Sequence, residues 1–240
     1  MELILPDWPA PAKVRALSTT RAGGVSAGPY ASLNLGDHVG DDPAAVAENR
    51  ARVRNRLPAE PLWLKQVHLA DVADADSASG VPEADASVAR QPGKACAVLT
   101  ADCLPLLLCD RAGAVVAAAH AGWRGLAEGV IEAAVEAMKV SPGEVLAWLG
   151  PAIGPAAFEV GGEVRDAFLA FDPAAAAAFV ARENGKWLAD IFHLARLRLG
   201  KIGVTAVYGG GVCTYSDAER FYSYRRDGAT GRMASLIWIE

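Results

Sequence analysis

The chain has 240 residues, of which 52% are hydrophobic and 21% are charged, a composition that can bury a sizeable core and excludes a disordered protein. Its net charge of -5 at pH 7 argues against a general affinity for nucleic acid or for an anionic membrane surface. No apolar run is long enough to span a bilayer, the first residues lack a secretory signal, and the 4 cysteines include no CxxC pair. These features favour a cytoplasmic protein with reduced thiols.

The predicted secondary structure mixes strands and helices along the whole chain. Apolar and alternating runs predict strands at 14–20, 62–67, 95–99, 103–109, 114–119, 145–149, 204–208 and 233–239. Amphipathic and alanine-rich segments predict helices at 42–57, 126–140, 163–171, 174–182 and 190–199. Because no linker or internal repeat separates these elements, we expect one α+β domain over residues 1–240.

The stretch 99–126 contains two small apolar strands joined by a turn at 110–113. Cys103 precedes the first strand and His120 ends the second, so pairing of the strands as a hairpin would place a thiol beside an imidazole. Such a pair can bind a soft metal such as zinc, or act as nucleophile and base on a carbonyl group. The simpler interpretation is a buried cysteine and a hydrogen-bonded strand end.

A third candidate ligand, His68, follows the predicted strand at 62–67. Two imidazoles and a thiolate leave one tetrahedral position open, which is typical of a catalytic zinc site. The chain has only 4 histidines, and this site would use two of them. The several copper ions of a multicopper laccase therefore cannot be bound in the usual way.

Motifs spread over nearly the whole chain resemble, in the same order, those of the laccase-domain family, also called the multicopper polyphenol oxidase family. The segments that carry the resemblance are TTRAGGVS at 19–26, SLNLG at 32–36, QVH at 66–68, TADCLP at 100–105, AHAGWRG at 119–125, CTY at 213–215, FYSYRR at 221–226 and GRM at 231–233. Bacterial members of this family are described as purine nucleoside phosphorylases and as peptidoglycan editing factors.

The resemblance implies a fold, a metal site and an activity. The fold would be two mixed β-sheets packed together and flanked by helices. His68, Cys103 and His120 would be both metal ligands and catalytic residues, with zinc, or else copper, as the cofactor. The enzyme would cleave adenosine, inosine, guanosine and methylthioadenosine with phosphate, and deaminate adenosine as a side activity. Its partners would thus be a purine nucleoside and phosphate, with no nucleic acid and no membrane.

Residue types in the motif loops suggest substrate contacts. Phosphorolysis needs a cation that holds phosphate near the sugar, and deamination needs an activated water and a general acid. The candidates for binding phosphate are Arg21, Arg124, Arg225 and Arg226. Asn34 and Gln66 are the candidates for ribose or base, and Asp102 or Glu159 for the general acid.

Three other functions remain open at this point. Cys103 and His120 could form a cysteine hydrolase that acts on amides of peptidoglycan precursors. The metal could instead be purely structural in a binding or scaffold protein, although no fourth ligand stands in a motif. Copper-dependent phenol oxidation is the third alternative, and it requires redox cycling of the metal.

Overall fold

The computed structural model describes residues 1–240 and contains thirteen strands and six α-helices. The strands are β1 (Leu3–Ile4), β2 (Val14–Thr19), β3 (Val72–Asp74), β4 (Ala86–Ala89), β5 (Ala95–Thr100), β6 (Leu104–Asp110), β7 (Val116–Ala121), β8 (Val145–Leu149), β9 (Glu159–Val160), β10 (Phe179–Ala181), β11 (Trp187–Ala189), β12 (Ala206–Gly209) and β13 (Met233–Ile239). The helices are α1 (Pro43–Arg54), α2 (Trp123–Glu128), α3 (Val130–Met138), α4 (Gly162–Phe171), α5 (Ile191–Lys201) and α6 (Tyr224–Asp227). No helix has the length and apolar character that crossing a membrane requires.

The strands form three sheets. A six-stranded sheet has the order β12-β8-β6-β7-β4-β3 and mixes parallel outer pairs with antiparallel inner ones. A four-stranded sheet, β1-β2-β13-β5, is antiparallel throughout, and β9, β10 and β11 form a small third sheet. The predicted α+β class with two packed sheets is confirmed, although the second large sheet is not mixed and the third sheet was not expected. The extent of the domain, 1–240, stays a prediction.

Strand β6 explains why the central apolar run shows no alternation. Leu106 and Leu108 face the helices, in one cluster with Ile131 of α3. Leu107 lies between them and faces the other way, in a second cluster with Ile237 of β13. Successive strand side chains point to opposite faces, so β6 is buried on both sides and each leucine contributes roughly 1.5–3 kcal/mol of apolar burial. The hairpin of β6 and β7 therefore lies at the centre of the protein.

The outer layers complete the packing around this hairpin. Helices α3 and α5 cover one face of the six-stranded sheet. The four-stranded sheet covers the other face, and its outer side packs against α1, where Val53 contacts the cluster of Leu99 and Leu236. The local sequence of α1 fits its start, because Asp42 caps the helix by accepting a hydrogen bond from Ala44 N at 2.9 Å and Pro43 is the first helical residue.

Three predicted elements are wrong in part. Segment 62–67 is not a strand, because only isolated bridges form there and the Gln66 side chain pairs with the backbone of Leu99 instead. The helix predicted at 126–140 begins earlier and is divided into α2 and α3 at Gly129, whose φ of 104° lies in the left-handed region. The alanine-rich run at 174–182 is a short 3₁₀ helix followed by β10.

Candidate metal centre and substrate cavities

The central hairpin places two of the predicted ligands at one end of the six-stranded sheet. Strands β6 and β7 pair antiparallel with Pro105 opposite His120. Cys103 directly precedes β6 and so lies at the same end of the hairpin as His120. The predicted pairing of the two strands is confirmed. His120 is buried and 3% exposed, whereas Cys103 is partly exposed.

His68 joins this pair from the loop that precedes β3. Its backbone has a φ of 65°, in the left-handed region, and its side chain is exposed. The ligand atoms of His68, Cys103 and His120 all lie within 4.8 Å of one another. The two imidazole rings meet edge to face, with their centroids 4.7 Å apart. The fold thus brings together all three predicted ligands, one from each of three separate segments.

The carboxylate of Asp85 holds two of the three candidate ligands in place through hydrogen bonds. Its Oδ1 accepts a hydrogen bond from His120 Nδ1 at 2.7 Å, and the carboxylate is fully buried. Its Oδ2 accepts hydrogen bonds from Val67 N and Leu69 N at 3.0 and 2.9 Å, which hold the turn that carries His68. Because Nδ1 of His120 is occupied by Asp85, its Nε2 is the nitrogen free to bind a metal. A carboxylate behind a histidine is the usual support of a zinc ligand.

Gly122 keeps the space among the ligands open. A Cβ at this position would lie 3.0 Å from Cys103 Sγ, 3.1 Å from His68 Cδ2 and 3.7 Å from His120 Cε1. Only a residue without a side chain leaves room for the three ligands to converge. One thiolate, two imidazoles and a buried supporting carboxylate are a donor set that fits a zinc ion. The residues present therefore match the metal that the sequence suggests.

The charges of the cluster favour a thiolate. Burial alone would raise the pKa of the Cys103 thiol, but His120 and His68 attract and hydrogen-bond its anion and lower the pKa to about 6. Burial would lower the pKa of His120, whereas Cys103 and Asp85 raise it to about 9. Burial likewise opposes the charge of Asp85, yet its hydrogen bonds from His120 and the backbone hold its pKa below the usual range. Cys103 is therefore a metal ligand or a nucleophile already in its anionic form.

Two cavities meet at Cys103. The first, of about 380 Å³, is lined mostly by polar residues, among them the three candidate ligands, His38, Gln66 and Arg232, and is called the polar cavity here. The second, of about 110 Å³, is mostly apolar, and its lining includes Trp123, Phe158 and Ile191. Tyr224 lines both cavities, and its side chain is exposed. A polar and an apolar compartment on either side of one reactive group suit a ligand with a charged part and a flat apolar part.

A larger surface groove does not belong to this site. It has a volume of about 650 Å³ and is lined by charged side chains around β10 and β11, including Arg182 and Lys186. It shares no residue with the cavities at Cys103. Its size alone gives no reason to place chemistry there.

Three predicted substrate-binding residues line the two cavities. Gln66 lies in the polar cavity, but both of its amide atoms bond to the backbone of Leu99, at 2.8 and 2.7 Å. Asp102 lines the apolar cavity, and its carboxylate accepts hydrogen bonds from Thr214, Ser223 and the Arg225 backbone. Arg225 itself is exposed and lines the same cavity.

The remaining candidates line neither cavity, namely Arg21, Asn34, Arg124, Arg226 and Glu159. Arg21 donates to the carbonyls of Ala31 and Ala218, and Asn34 is fully buried with its amide bonded to neighbouring groups of the protein. Arg124 is exposed and lies over the ring of Trp123 at 4.5 Å. The contacts of Arg21 and Asn34 are structural, while their predicted roles toward a substrate stay predictions.

Sequence reasoning missed four residues of the site, namely Asp85, His38, Tyr224 and Arg232. For Arg232 a signal existed, because it belongs to the motif GRM at 231–233 on which the resemblance rests. Asp85 had no such signal, since its importance comes from contacts with the turn at His68 and with His120, 35 positions away in sequence. Such a contact exists only in the folded chain.

Comparison with known proteins finds similarity over almost the full length. A family model described as "Multi-copper polyphenol oxidoreductase laccase" matches residues 15–240. The purine nucleoside phosphorylase PA4543 of Pseudomonas aeruginosa is 62% identical over 238 residues, which cover 99% of this chain and 98% of that protein. The purine nucleoside phosphorylase YfiH of Escherichia coli is 57% identical over 244 residues, which cover 99% of each.

A solved structure has the same fold. The crystal structure of Neisseria meningitidis protein NMB0706 superposes with a TM-score of 0.97 at 56% sequence identity, and the match covers 100% of both chains. Sequence and architecture therefore agree on one set of relatives.

Proposed function

The chain belongs to the multi-copper polyphenol oxidoreductase laccase family, and from that membership we propose that it is a zinc-dependent purine nucleoside phosphorylase. Its relatives at 62% and 57% identity carry the name purine nucleoside phosphorylase, which supports an enzyme acting on a nucleoside and phosphate. The observation that carries the proposal is the His68, Cys103 and His120 cluster at the junction of a polar and an apolar cavity.

The three cluster residues would hold the metal. A bound zinc ion would supply Lewis-acid polarisation of a substrate oxygen. The same donor set also suits one copper ion, but a blue-copper centre commonly adds a distant methionine. Met233 does not serve this purpose, because its sulfur accepts the backbone N–H of Tyr222 and it lines neither cavity. With 4 histidines in the whole chain, a multicopper centre has too few ligands.

The two cavities differ in polarity, so each suits a different part of the substrates. The apolar cavity offers the side chains of Trp123 and Phe158 to a purine base. The polar cavity offers cationic and hydrogen-bonding groups to ribose and phosphate. We assign adenosine, inosine, guanosine and methylthioadenosine as substrates, since a base held by apolar contacts tolerates changes at its exocyclic groups.

Adenosine deamination is the second activity of this proposal. It requires a proton donor, and Asp102 is poorly suited to that task. Its carboxylate accepts hydrogen bonds from Thr214 Oγ1 at 2.6 Å, Ser223 Oγ at 3.0 Å and Arg225 N at 2.7 Å. Both carboxylate oxygens are therefore already engaged by groups of the protein. Asp102 is better suited to positioning the loop before Cys103 and the start of α6.

The test is turnover of adenosine with and without phosphate, on protein whose zinc content has been measured. Adenine and ribose 1-phosphate that form only with phosphate and zinc are the expected products. The variant Cys103→Ala should lose zinc binding and turnover together, whereas Cys213→Ser, at the other partly exposed thiol, should keep both. Turnover by Cys103→Ala without metal would contradict the zinc mechanism, and inosine as the sole product would indicate deamination alone.

A cysteine hydrolase acting on peptidoglycan precursors is the second candidate. One observation favours it: Asp85, His120 and Cys103 resemble the carboxylate, base and nucleophile of a catalytic triad. Asp85 Oδ1 lies 2.7 Å from His120 Nδ1. A metal-bound thiolate is a poor nucleophile, so the two candidates exclude each other at this site. A protein that is active on amides when free of zinc, and inhibited by added zinc, would favour the hydrolase.

A further inference from the structure

We propose that Arg232 is the residue that binds phosphate in the polar cavity, an inference that rests on the phosphorylase function proposed above. The four arginines that the sequence suggested for this task were Arg21, Arg124, Arg225 and Arg226. Arg232 differs from all of them in lining the same cavity as the three cluster residues.

Arg232 is held firmly by the fold. Its backbone N donates to Asn34 Oδ1 at 2.9 Å, and its Nη1 donates to the carbonyls of Thr230 and Gly231 at 2.9 and 3.0 Å. The stem of its side chain packs on Gly36, where an added Cβ would lie 2.8 Å from Arg232 Cγ. A guanidinium fixed in this way loses little further freedom when it binds a ligand.

The rest of the guanidinium lies over the ring of Tyr224, 6.0 Å from its centroid, and has no hydrogen-bond partner in the protein. Nε and Nη2 make no hydrogen bond to the chain, since only Nη1 is used. Arg232 also forms no ion pair, whereas Arg50 pairs with Asp37 at 3.3 Å and Arg226 with Asp227 at 2.7 Å. The side chain is half-buried. Cys103 and Asp102 act on this cation only from a distance, without a direct ion pair. An anion in direct contact would therefore offset part of the free energy that withdrawal of the cation from water costs.

The remaining N–H groups suit a phosphate. A guanidinium offers two parallel donors, Nε–H and one Nη2–H, to two oxygens of a tetrahedral anion. The rival arginines lack this freedom or this position. Arg21 spends Nε and Nη1 on two backbone carbonyls, and Arg225 donates Nη1 to Glu159 O and lines the apolar cavity. Phosphate at Arg232 would lie in the compartment that also contains the metal ligands.

The experiment compares phosphate with adenosine as the variable substrate in the zinc-loaded protein. Arg232→Gln removes the charge and the fork but keeps most of the stem. Its KM for phosphate should rise about 10- to 100-fold, while its KM for adenosine stays within about twofold. Arg232→Lys keeps the charge but not the two parallel N–H donors, and its KM for phosphate should rise about 3- to 10-fold. Arg225→Gln, in the lining of the apolar cavity, should raise the KM for phosphate much less than Arg232→Gln does.

Arg111→Gln is the matched control. Arg111 is exposed in the turn at the far end of the central hairpin, roughly 20 Å from the cluster because β6 spans 7 residues. The loss of its charge should leave both KM values unchanged. An unchanged KM for phosphate in Arg232→Gln would overturn the inference, as would a rise confined to Arg225→Gln. If Arg232→Gln does not fold, the KM of Arg232→Lys for phosphate is the deciding measurement, and an unchanged value would again overturn the inference.

Direct binding separates this inference from the proposed function. Calorimetric titration with inorganic phosphate requires no turnover. Binding that weakens in Arg232→Gln but not in Arg111→Gln would support the anion site even if no nucleoside were cleaved, and the phosphorylase function alone would then fail. If Arg232→Gln instead bound phosphate as tightly as the wild type and still carried out phosphorolysis, the proposed function would stand and the role of Arg232 would be refuted.

Discussion

Replacing Gly122 with alanine tests the metal centre without removing any ligand. The added Cβ would lie 3.0 Å from Cys103 Sγ and 3.1 Å from His68 Cδ2. Ordinary contacts of a Cβ begin at 3.4 Å, so each of the two ligands must retreat by a few tenths of an ångström. A zinc site tolerates deviations of only about 0.2 Å in its ligand distances. We therefore expect zinc affinity to fall about 10- to 100-fold, as after disruption of the support around a ligand.

The metal-free fold should change much less. Gly122 has a φ of -62°, which alanine adopts without strain, and it precedes the first turn of α2. Loss of a glycine at this capping position should cost roughly 1 kcal/mol or less. Zinc affinity measured by competition with a chelator, and thermal unfolding of the metal-free protein, separate the two effects.

Gly143→Ala is the matched control, because a Cβ there would meet no heavy atom within 4 Å and the backbone is not left-handed. It should keep the zinc affinity of the unchanged protein. Wild-type zinc affinity in Gly122→Ala would refute the reasoning, since it would mean that the metal does not lie among these three side chains.

Asp85→Asn should lower zinc affinity about 10- to 100-fold, because it removes the negative charge that accepts the N–H of His120. It should also destabilise the fold by roughly 1–3 kcal/mol, because an amide NH₂ would face the backbone N–H groups of Val67 and Leu69. Chelator competition and thermal unfolding measure both, and unchanged affinity would argue against its supporting role. In metal-free protein, iodoacetamide should alkylate Cys103 rapidly at pH 7–8, and the rate should fall as the pH drops through its pKa of about 6 and the thiolate takes up a proton. Cys96 and Cys109, buried with pKa values raised to about 12, should not react, Cys213 should react more slowly, and zinc should protect Cys103. Mass spectrometry identifies the labelled thiols, and equal labelling of Cys103 and Cys109 would contradict the environment described.

Local pattern was sufficient for the elements at the centre of the fold. The strands around 103–109 and 233–239 were predicted within a residue or two, because both are continuous apolar runs that a sheet covered on both faces requires. Pattern was insufficient where a single residue changes the backbone. Gly129 interrupts a helix that its hydrophobic periodicity would continue, and Gln66 replaces strand pairing with a side-chain contact.

The candidate site shows the same division. Cys103 and His120 could be placed together from the sequence, since a short turn between two apolar strands sets their distance in the fold. His68 was a third candidate because it follows an apolar run, and the resemblance implied the same residue, which a loop brings from elsewhere in the chain. Neither source indicated that Asp85 supports two ligands, or that Arg232 is the arginine in the cavity rather than Arg21.

The α+β class, the central hairpin and the chemical type of the candidate metal ligands could be predicted from the sequence, because they depend on local apolar patterning and on the identity of a few side chains. Which polar side chains remain free to bind a ligand could be seen only in the tertiary structure. Asn34 and Arg21 look equal to Arg232 in sequence, but their polar groups are engaged by backbone and neighbouring side chains. Whether a donor is satisfied by the protein or left for a ligand depends on contacts between distant segments, and those contacts exist only after folding.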